Sequence, residues 1–225
     1  MLQFLDYAGV AVFAATGALA ASRKQLDIIG FVFLASLTGS GGGTVRDIML
    51  GQTPVFWVSD SLYLAVCLLM AGLVYVTARY IEYRYRLLLW LDAAGLAAYC
   101  VMGAAKGTAL GLSPLAAIAT GMITATFGGI LRDIVSGEPS VLLRREIYAT
   151  AALAGATSHV TLAAINLPIF VSVPVSVACA FAIRGGALHY GWTMPGYRHR
   201  SGRSAEHAFA GRASHTDAAA RDRQG

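Results

Sequence analysis

The chain has 225 residues, of which 56% are hydrophobic and 13% are charged. A water-soluble domain carries roughly 25% charged residues, so this composition excludes an ordinary soluble fold and indicates an integral membrane protein. The net charge of +5 then reflects membrane topology, and we do not expect nucleic-acid binding. Three cysteines (Cys67, Cys100 and Cys179) lie singly in apolar segments, a pattern that predicts no disulfide and no metal site.

Seven segments are apolar and long enough to cross a hydrocarbon core, which takes about 20 helical residues. In chain order they cover residues 4–22, 28–45, 61–79, 87–105, 113–134, 147–165 and 168–184. The seventh is the shortest and contains Pro168 and Pro174. No Lys or Arg precedes residue 23, which argues against a cleaved secretory signal in the first segment. We therefore predict an all-α integral membrane protein with seven transmembrane helices.

The basic residues predict the orientation of these helices. Of the 17 Lys and Arg residues, only Arg46 and Lys106 fall on the face that holds the N-terminus. The other fifteen lie in the loops after odd-numbered segments and in the tail, including Arg144, Arg145 and six arginines beyond residue 190. By the positive-inside rule the N-terminus is outside and the C-terminus is cytoplasmic.

The sequence repeats itself at a constant offset of 86 residues. The matched pairs are Asp6 with Asp92, Gly9 with Gly95, Gly17 with Gly103, and residues 42–51 with residues 128–137. Three segments per copy leave the second copy entering from the opposite face, so the pattern predicts two inverted repeats, which commonly build pathways through bilayers. The predicted domains are residues 1–86 and 87–166 as repeats, 167–190 as a seventh helix, and 191–225 as a disordered tail. A metal-binding role for the tail residues His199, His207 and His215 is the less favoured alternative.

Glycine and hydroxyl residues cluster in the second and fifth segments. Four glycines lie within residues 39–43, and each costs about 1 kcal/mol relative to alanine in a helix, which predicts a bent or opened span. The expected hinge residues are Gly41, Gly42, Gly43, Gly128 and Gly129. The expected pathway-lining residues are Ser36, Thr38, Ser40, Thr44, Thr120, Thr124 and Thr126. Close helix packing through small residues is the alternative interpretation.

Charged residues also repeat near the ends of the segments. Since neighbouring spans are antiparallel, Asp6 is expected level with Arg46 and Asp92 level with Arg132, with Asp47 and Asp133 beside them. Such charges in or near hydrocarbon usually find a partner or face water. They are predicted to lie at the two mouths of the pathway, where they gate it or only pin the helices together. Arg23 is expected in a solvated loop.

Nothing in the sequence predicts an enzyme or a cofactor. Neither a GxSxG nucleophile motif nor a phosphate-binding loop occurs, and His159 and His189 lack metal-ligand spacing.

The doubled Gly-Gly-x-x-Arg-Asp-x-x-x-Gly motif, at residues 42–51 and 128–137, resembles that of prokaryotic trimeric intracellular cation channels, whose repeated unit is also described as a glycine transporter domain. The resemblance implies seven helices in two inverted repeats plus one, a homotrimer in the prokaryotic inner membrane, and a pore in each subunit permeable to potassium and other monovalent cations. It also implies contact with membrane lipid. The lysine-rich phosphoinositide motif of animal members is not evident here.

Two alternatives remain at this stage. A secondary transporter of a small solute such as glycine also uses inverted repeats and broken helices, but it should hold a fixed counter-charge at the midplane. A membrane scaffold would have a dry core in which the glycines and hydroxyls face other helices.

Overall fold

A computed structural model of the chain describes residues 2–140 and 147–194. The tail beyond residue 194 and the arginines Arg144 and Arg145 lie outside the described residues. The described part contains eight α-helices and one 3-10 turn. These are α1 (Leu2–Arg23), α2 (Ile28–Met49), α3 (Phe56–Ser59), α4 (Leu62–Thr77) with the turn Ala78–Tyr80, α5 (Arg84–Ala109), α6 (Pro114–Val135), α7 (Ala149–Ala164) and α8 (Ile169–Tyr190).

All seven predicted apolar segments are helical, and six of the described helices are long and apolar enough to cross a membrane. The chain is therefore an all-helical membrane protein. The predicted weak segment at Pro168 is in fact the 22-residue helix α8, with Pro174 in its second turn. The predicted span that falls short is instead α7, whose 16 residues rise about 24 Å, less than a typical hydrocarbon core. The helix α4 also has 16 residues, but the 3-10 turn that follows extends it to Tyr80.

The helices α2 and α6 begin and end in the same way. The Asp27 carboxylate caps α2 by accepting from Gly30 N at 2.8 Å, and the Ser113 hydroxyl caps α6 by accepting from Ala116 N at 3.4 Å. Each helix is followed by a glycine with positive φ, Gly51 at 65° and Gly137 at 63°, a conformation that favours glycine. These residues all obey the 86-residue offset, so the repeat extends to the local signals that bound each helix.

The central helices are α1 and α5. In the most apolar stretch of each helix, 67% of the residues of α1 and 72% of those of α5 are buried. The corresponding fractions are 28% for α4 and 33% for α8. Gly9 of α1 lies against the Tyr99 ring of α5, and Gly95 of α5 lies against the Phe13 ring of α1. Because residues 9 to 13 meet residues 99 to 95, the two helices are antiparallel.

The bundle has two faces, at opposite ends of its helices. We call N-face the one where α1 begins and α2 ends, and C-face the one where α1 ends and α2 begins. The C-face also holds the end of α6, because Arg23 in the last turn of α1 contacts Glu138 just beyond α6.

Gly17 and Gly103 offer a test of the packing. A Cβ atom at Gly17 would collide with the Leu34 carbonyl oxygen, and one at Gly103 would lie 2.6 Å from the Thr124 hydroxyl. We expect Gly17→Ala and Gly103→Ala each to lower the free energy of unfolding by ~1–3 kcal/mol, as overpacking does, measured by denaturant titration in detergent micelles. Gly72 is the control, because nothing lies within 4 Å of its Cβ position. Equal effects at all three positions would contradict this account.

Candidate functional site

The helices α2 and α6 touch through their backbones at the centre of the molecule. A Cβ atom at Gly42 would collide with the Thr124 carbonyl oxygen, and one at Gly128 would lie 2.7 Å from the Thr38 carbonyl oxygen. Residues 38 and 42 thus meet residues 128 and 124, so the two helices are antiparallel. The two contacts are equivalent under the 86-residue offset, because Thr38 corresponds to Thr124 and Gly42 corresponds to Gly128. No gap separates the helices at this crossing.

The remaining predicted hinge glycines also lie at close contacts. A Cβ at Gly41 would be 2.7 Å from the Leu131 side chain, and one at Gly43 would be 2.5 Å from the Phe56 ring. A Cβ at Gly129 would be 2.6 Å from the Tyr148 hydroxyl. The glycine cluster therefore serves close packing, the alternative interpretation of its sequence, while any hinge motion remains a prediction.

The glycines do not open either helix. α2 is continuous through residues 38–44, and α6 is continuous through residues 120–129. Six of the seven predicted lining hydroxyls donate to the carbonyl one turn back; they belong to Thr38, Ser40, Thr44, Thr120, Thr124 and Thr126. Such bonds keep the hydroxyls satisfied inside the helix and bend it slightly. The expected opened span is thus not found, because glycine packing and hydroxyl bonds preserve the helix.

The seventh lining residue, Ser36, is half-buried and supplies the carbonyl oxygen that Ser40 uses, at 2.7 Å. Thr38 and Thr124 are fully buried at the crossing. Thr120 differs, because it also borders a cavity of about 490 Å³ on the N-face, between the end of α2 and the start of α6. The predicted lining residues therefore extend from a cavity to a sealed crossing.

The C-face end of α6 carries a tight, buried charge cluster. Arg132 Nη1 donates to Asp92 Oδ1 at 2.7 Å, and its Nη2 donates to Asp133 Oδ1 at 2.9 Å. The three side chains are at most 6% exposed. The structure thus brings together Asp92 and Arg132 as expected, with Asp133 sharing the guanidinium.

The N-face cluster at the end of α2 is arranged more loosely. Arg46 Nη1 lies 3.6 Å from Asp6 Oδ1, and Arg46 Nε donates to Asp47 Oδ1 at 2.9 Å. Asp6 instead accepts a bond from the Tyr63 hydroxyl at 3.1 Å. The expected pair of Asp6 and Arg46 is present, but it is longer than its C-face counterpart.

A short segment covers the N-face cluster. Phe56 N at the start of α3 donates to Asp47 Oδ2 at 2.9 Å, and the Phe56 ring lies 5.5 Å from the Arg46 guanidinium. Trp57 Nε1 donates to the Thr44 hydroxyl at 3.0 Å. This segment therefore closes the end of α2 and holds one predicted lining residue. A bulky aromatic pair soon after Pro54 was the available signal in the sequence, and the motif-based prediction missed it.

Each cluster has a second cation that was not predicted from the sequence. On the N-face, Lys106 of α5 donates to Asp47 Oδ1 at 2.7 Å. On the C-face, Arg184 of α8 is 1% exposed, and its guanidinium lies 5.1 Å from the centre of the Tyr148 ring. In the sequence both served only as indicators of topology. Their position was the signal, since Lys106 directly follows the apolar segment 87–105 and Arg184 ends the segment 168–184, and charges at the edge of or within a membrane span are functional-site hypotheses by default.

The expectation for Arg23 is wrong. Arg23 Nη1 lies 2.7 Å from Glu138 Oε2, and its guanidinium stacks 4.5 Å from the Tyr85 ring. Its side chain is 29% exposed. Arg23 is held at the C-face because the end of α1 packs beside the start of α5, so it is unsuitable as a solvated control.

Known proteins match this architecture over most of its length. A family model described as glycine transporter matches residues 3–79 and again residues 89–164. A UPF0126 membrane protein of Vibrio cholerae is 38% identical over 199 residues, covering 87% of this chain and 82% of the relative. A UPF0126 inner membrane protein of Escherichia coli K12 is 36% identical over 200 residues, covering 87% of this chain and 95% of the relative.

Solved structures agree with these sequence matches. The trimeric intracellular cation channel orthologue of Rhodobacter sphaeroides is 49% identical, with a TM-score of 0.83, covering 85% of this chain and 98% of that one. A second structure, described as explaining conductance through these cation channels, is 30% identical with a TM-score of 0.79, covering 89% and 98%. Since the family model, the sequence relatives and the solved structures all span both copies of the repeat, the chain belongs to the trimeric intracellular cation channel family.

Proposed function

We propose that the protein is a monovalent cation channel of the inner membrane, permeable to potassium, with one pore in each subunit of a homotrimer. The observation that carries the proposal is the α2–α6 crossing. There, two rows of hydroxyl-bearing residues meet at paired glycines, and a buried Arg and Asp cluster stands at each end. Two proteins of known structure that share this fold at 30% identity or more are described as cation channels.

The pathway runs along α2 and α6. It is lined by the seven predicted hydroxyl residues and opens when the two helices separate at Gly42 and Gly128. Hydroxyl and carbonyl oxygens replace part of the hydration shell of a cation. No Thr-Val-Gly-Tyr-Gly segment occurs in the sequence, so discrimination between potassium and sodium is weak.

A channel fits the charge distribution better than a transporter of glycine does. A zwitterionic solute held at the midplane needs a fixed counter-charge there, as in transporters with broken helices. In α2 the only charged residues are Arg46 and Asp47, and in α6 they are Arg132 and Asp133, all in the last turn and a half. The middle of the pathway offers dipoles rather than charges.

The architecture we propose has seven spans in two inverted repeats, residues 1–86 and 87–166, followed by α8 as the seventh. The antiparallel contacts of α1 with α5 and of α2 with α6 support an inverted relation, because equivalent helices of parallel repeats would not pair in this way. The N-face is proposed to lie outside the cell, as the asymmetry of basic residues favours.

Planar-bilayer recording of the purified protein tests the function. We expect unitary currents whose reversal potential in a potassium chloride gradient lies near that of potassium and far from that of chloride, because oxygen dipoles line the path and carboxylates stand at its two ends. Replacing potassium by sodium on one side should shift the reversal potential only slightly. Counterflow of labelled glycine into vesicles without any unitary current would instead support the transporter.

The two charge clusters should differ in coupling strength. We expect a double-mutant cycle of Asp92→Asn and Arg132→Gln to give a coupling energy of ~1–3 kcal/mol in unfolding experiments, because their contact is 2.7 Å long and fully buried. The same cycle with Asp6→Asn and Arg46→Gln should give a smaller value, because that contact is 3.6 Å. Arg86, an exposed arginine of the C-face, is the control for loss of one positive charge. Strictly additive losses at both ends would remove the pairs from the mechanism.

The glycine crossing makes a separate prediction. Gly42→Ala places a methyl group against the Thr124 carbonyl and should force α2 and α6 apart. We expect a higher open probability with an unchanged oligomer, measured by single-channel recording and size-exclusion chromatography. Gly72→Ala in α4 is the matched control. An open probability equal to that of the wild type would exclude the crossing as the gate.

A further inference from the structure

One charged residue of the described chain lies outside both copies of the repeat and yet contacts a tyrosine that lies beside the C-face cluster. Arg184 belongs to α8, where it is 1% exposed. Burying an arginine in an apolar helix is costly unless its donors are used. Its Nη1 donates to the Ile147 carbonyl oxygen at 3.1 Å, just before α7 begins.

The contacts of Arg184 lead directly to the C-face cluster. Its guanidinium lies 5.1 Å from the centre of the Tyr148 ring, within the range of a cation–π interaction. Tyr148 is 1% exposed, and its hydroxyl lies 2.6 Å from the Cβ position of Gly129. That same position is 3.3 Å from Asp92 Oδ1. Tyr148 is therefore wedged between Arg184 and the Asp92–Arg132 pair.

The N-face shows what Arg184 adds. There Tyr63 fills the comparable place, with its hydroxyl bonded to Asp6 at 3.1 Å. Behind Tyr63 stands the stacked ring of Tyr7, with ring centres 4.2 Å apart, in place of a cation. Each face thus has a tyrosine beside its carboxylate, although Tyr63 and Tyr148 are 85 residues apart and miss the 86-residue offset by one, and the C-face tyrosine is held by an arginine from the unrepeated helix.

On this basis we propose that Arg184 is a positioning residue for the C-face charge cluster and, through it, for the α2–α6 crossing that closes the pathway. It holds Tyr148 against Gly129 and the Asp92–Arg132 pair, and so couples the position of α8 to the closed state of α6. α8 is itself fixed at this level, because Gly185 packs against the Trp90 ring of α5, with its Cβ position 3.1 Å from that ring. The inference rests on the proposed channel function.

Single-channel recording separates this role from a purely structural one. We expect Arg184→Gln to raise the open probability ~10-fold, the size of effect typical of residues that couple two elements, while the unitary conductance stays unchanged. Arg184→Lys keeps the charge but loses the planar stacking group, so its open probability should lie between that of the wild type and that of Arg184→Gln. Arg86→Gln, an exposed arginine on the same face, should behave as wild type.

Tyr148 supplies the second arm of the experiment. Tyr148→Phe keeps the ring and should gate nearly as wild type, whereas Tyr148→Leu should reproduce the phenotype of Arg184→Gln. Combining Tyr148→Leu with Arg184→Gln should add no further increase. The proposal would be overturned if the two substitutions raised the open probability independently, so that their effects multiplied in the double variant. It would also be overturned if Arg184→Gln left the open probability unchanged or lowered it.

The failure of the inference is distinguishable from the failure of the proposed function. Wild-type protein without unitary currents would reject the channel, and the gating role of Arg184 with it. Wild-type currents with normal gating in Arg184→Gln would reject the positioning role alone. If Arg184→Gln does not assemble, Arg184→Lys and Tyr148→Leu still decide the question, because both should raise the open probability.

Discussion

The backbone contact of α2 with α6 is the constraint on which the rest of the structure depends. Gly42 and Gly128 let each helix approach a carbonyl oxygen of the other, a distance that any side chain would prevent. Because the helices touch there, the hydroxyls of Thr38 and Thr124 have no room to face water and bond within their own helices instead. The crossing therefore determines the packing of the bundle and, in the proposed channel, keeps the pathway closed.

The charge clusters fix the ends of the same two helices. Each of α2 and α6 ends in a buried Arg–Asp dipeptide that a neighbouring helix must satisfy. On the C-face the carboxylate of Asp92 pairs with the Arg132 guanidinium at 2.7 Å. On the N-face the carboxylate of Asp47 accepts bonds from Arg46, Lys106 and the Phe56 amide. Breaking such a buried pair typically costs ~3–5 kcal/mol, which holds the ends of α2 and α6 in place while the crossing is closed.

The repeat made much of this predictable from sequence. Equal offsets indicated which carboxylate would meet which arginine, and apolar length located the helices. Other features depend on contacts between elements outside the motif and left no periodic signal: α3 over Arg46, Lys106 beside Asp47, and Arg184 behind Tyr148. The glycines were ambiguous for a different reason. Flexibility and close approach both favour glycine, and only the position of the partner carbonyl shows that close approach applies here.

In the proposed channel, two cations without a basic counterpart at the 86-residue offset, Lys106 and Arg184, give the two ends of the pathway different sensitivities. Lys106 is 31% exposed where it pairs with Asp47, so mobile ions at the N-face can screen that pair within a Debye length. Arg184 is buried and acts through an aromatic ring and a backbone carbonyl, which salt in solution does not reach. With the proposed role of Arg184, the proposed pathway has one end that responds to the ionic medium and one that responds to the position of α8. Duplication then accounts for the proposed pathway, and the residues that break the symmetry account for the difference between its ends.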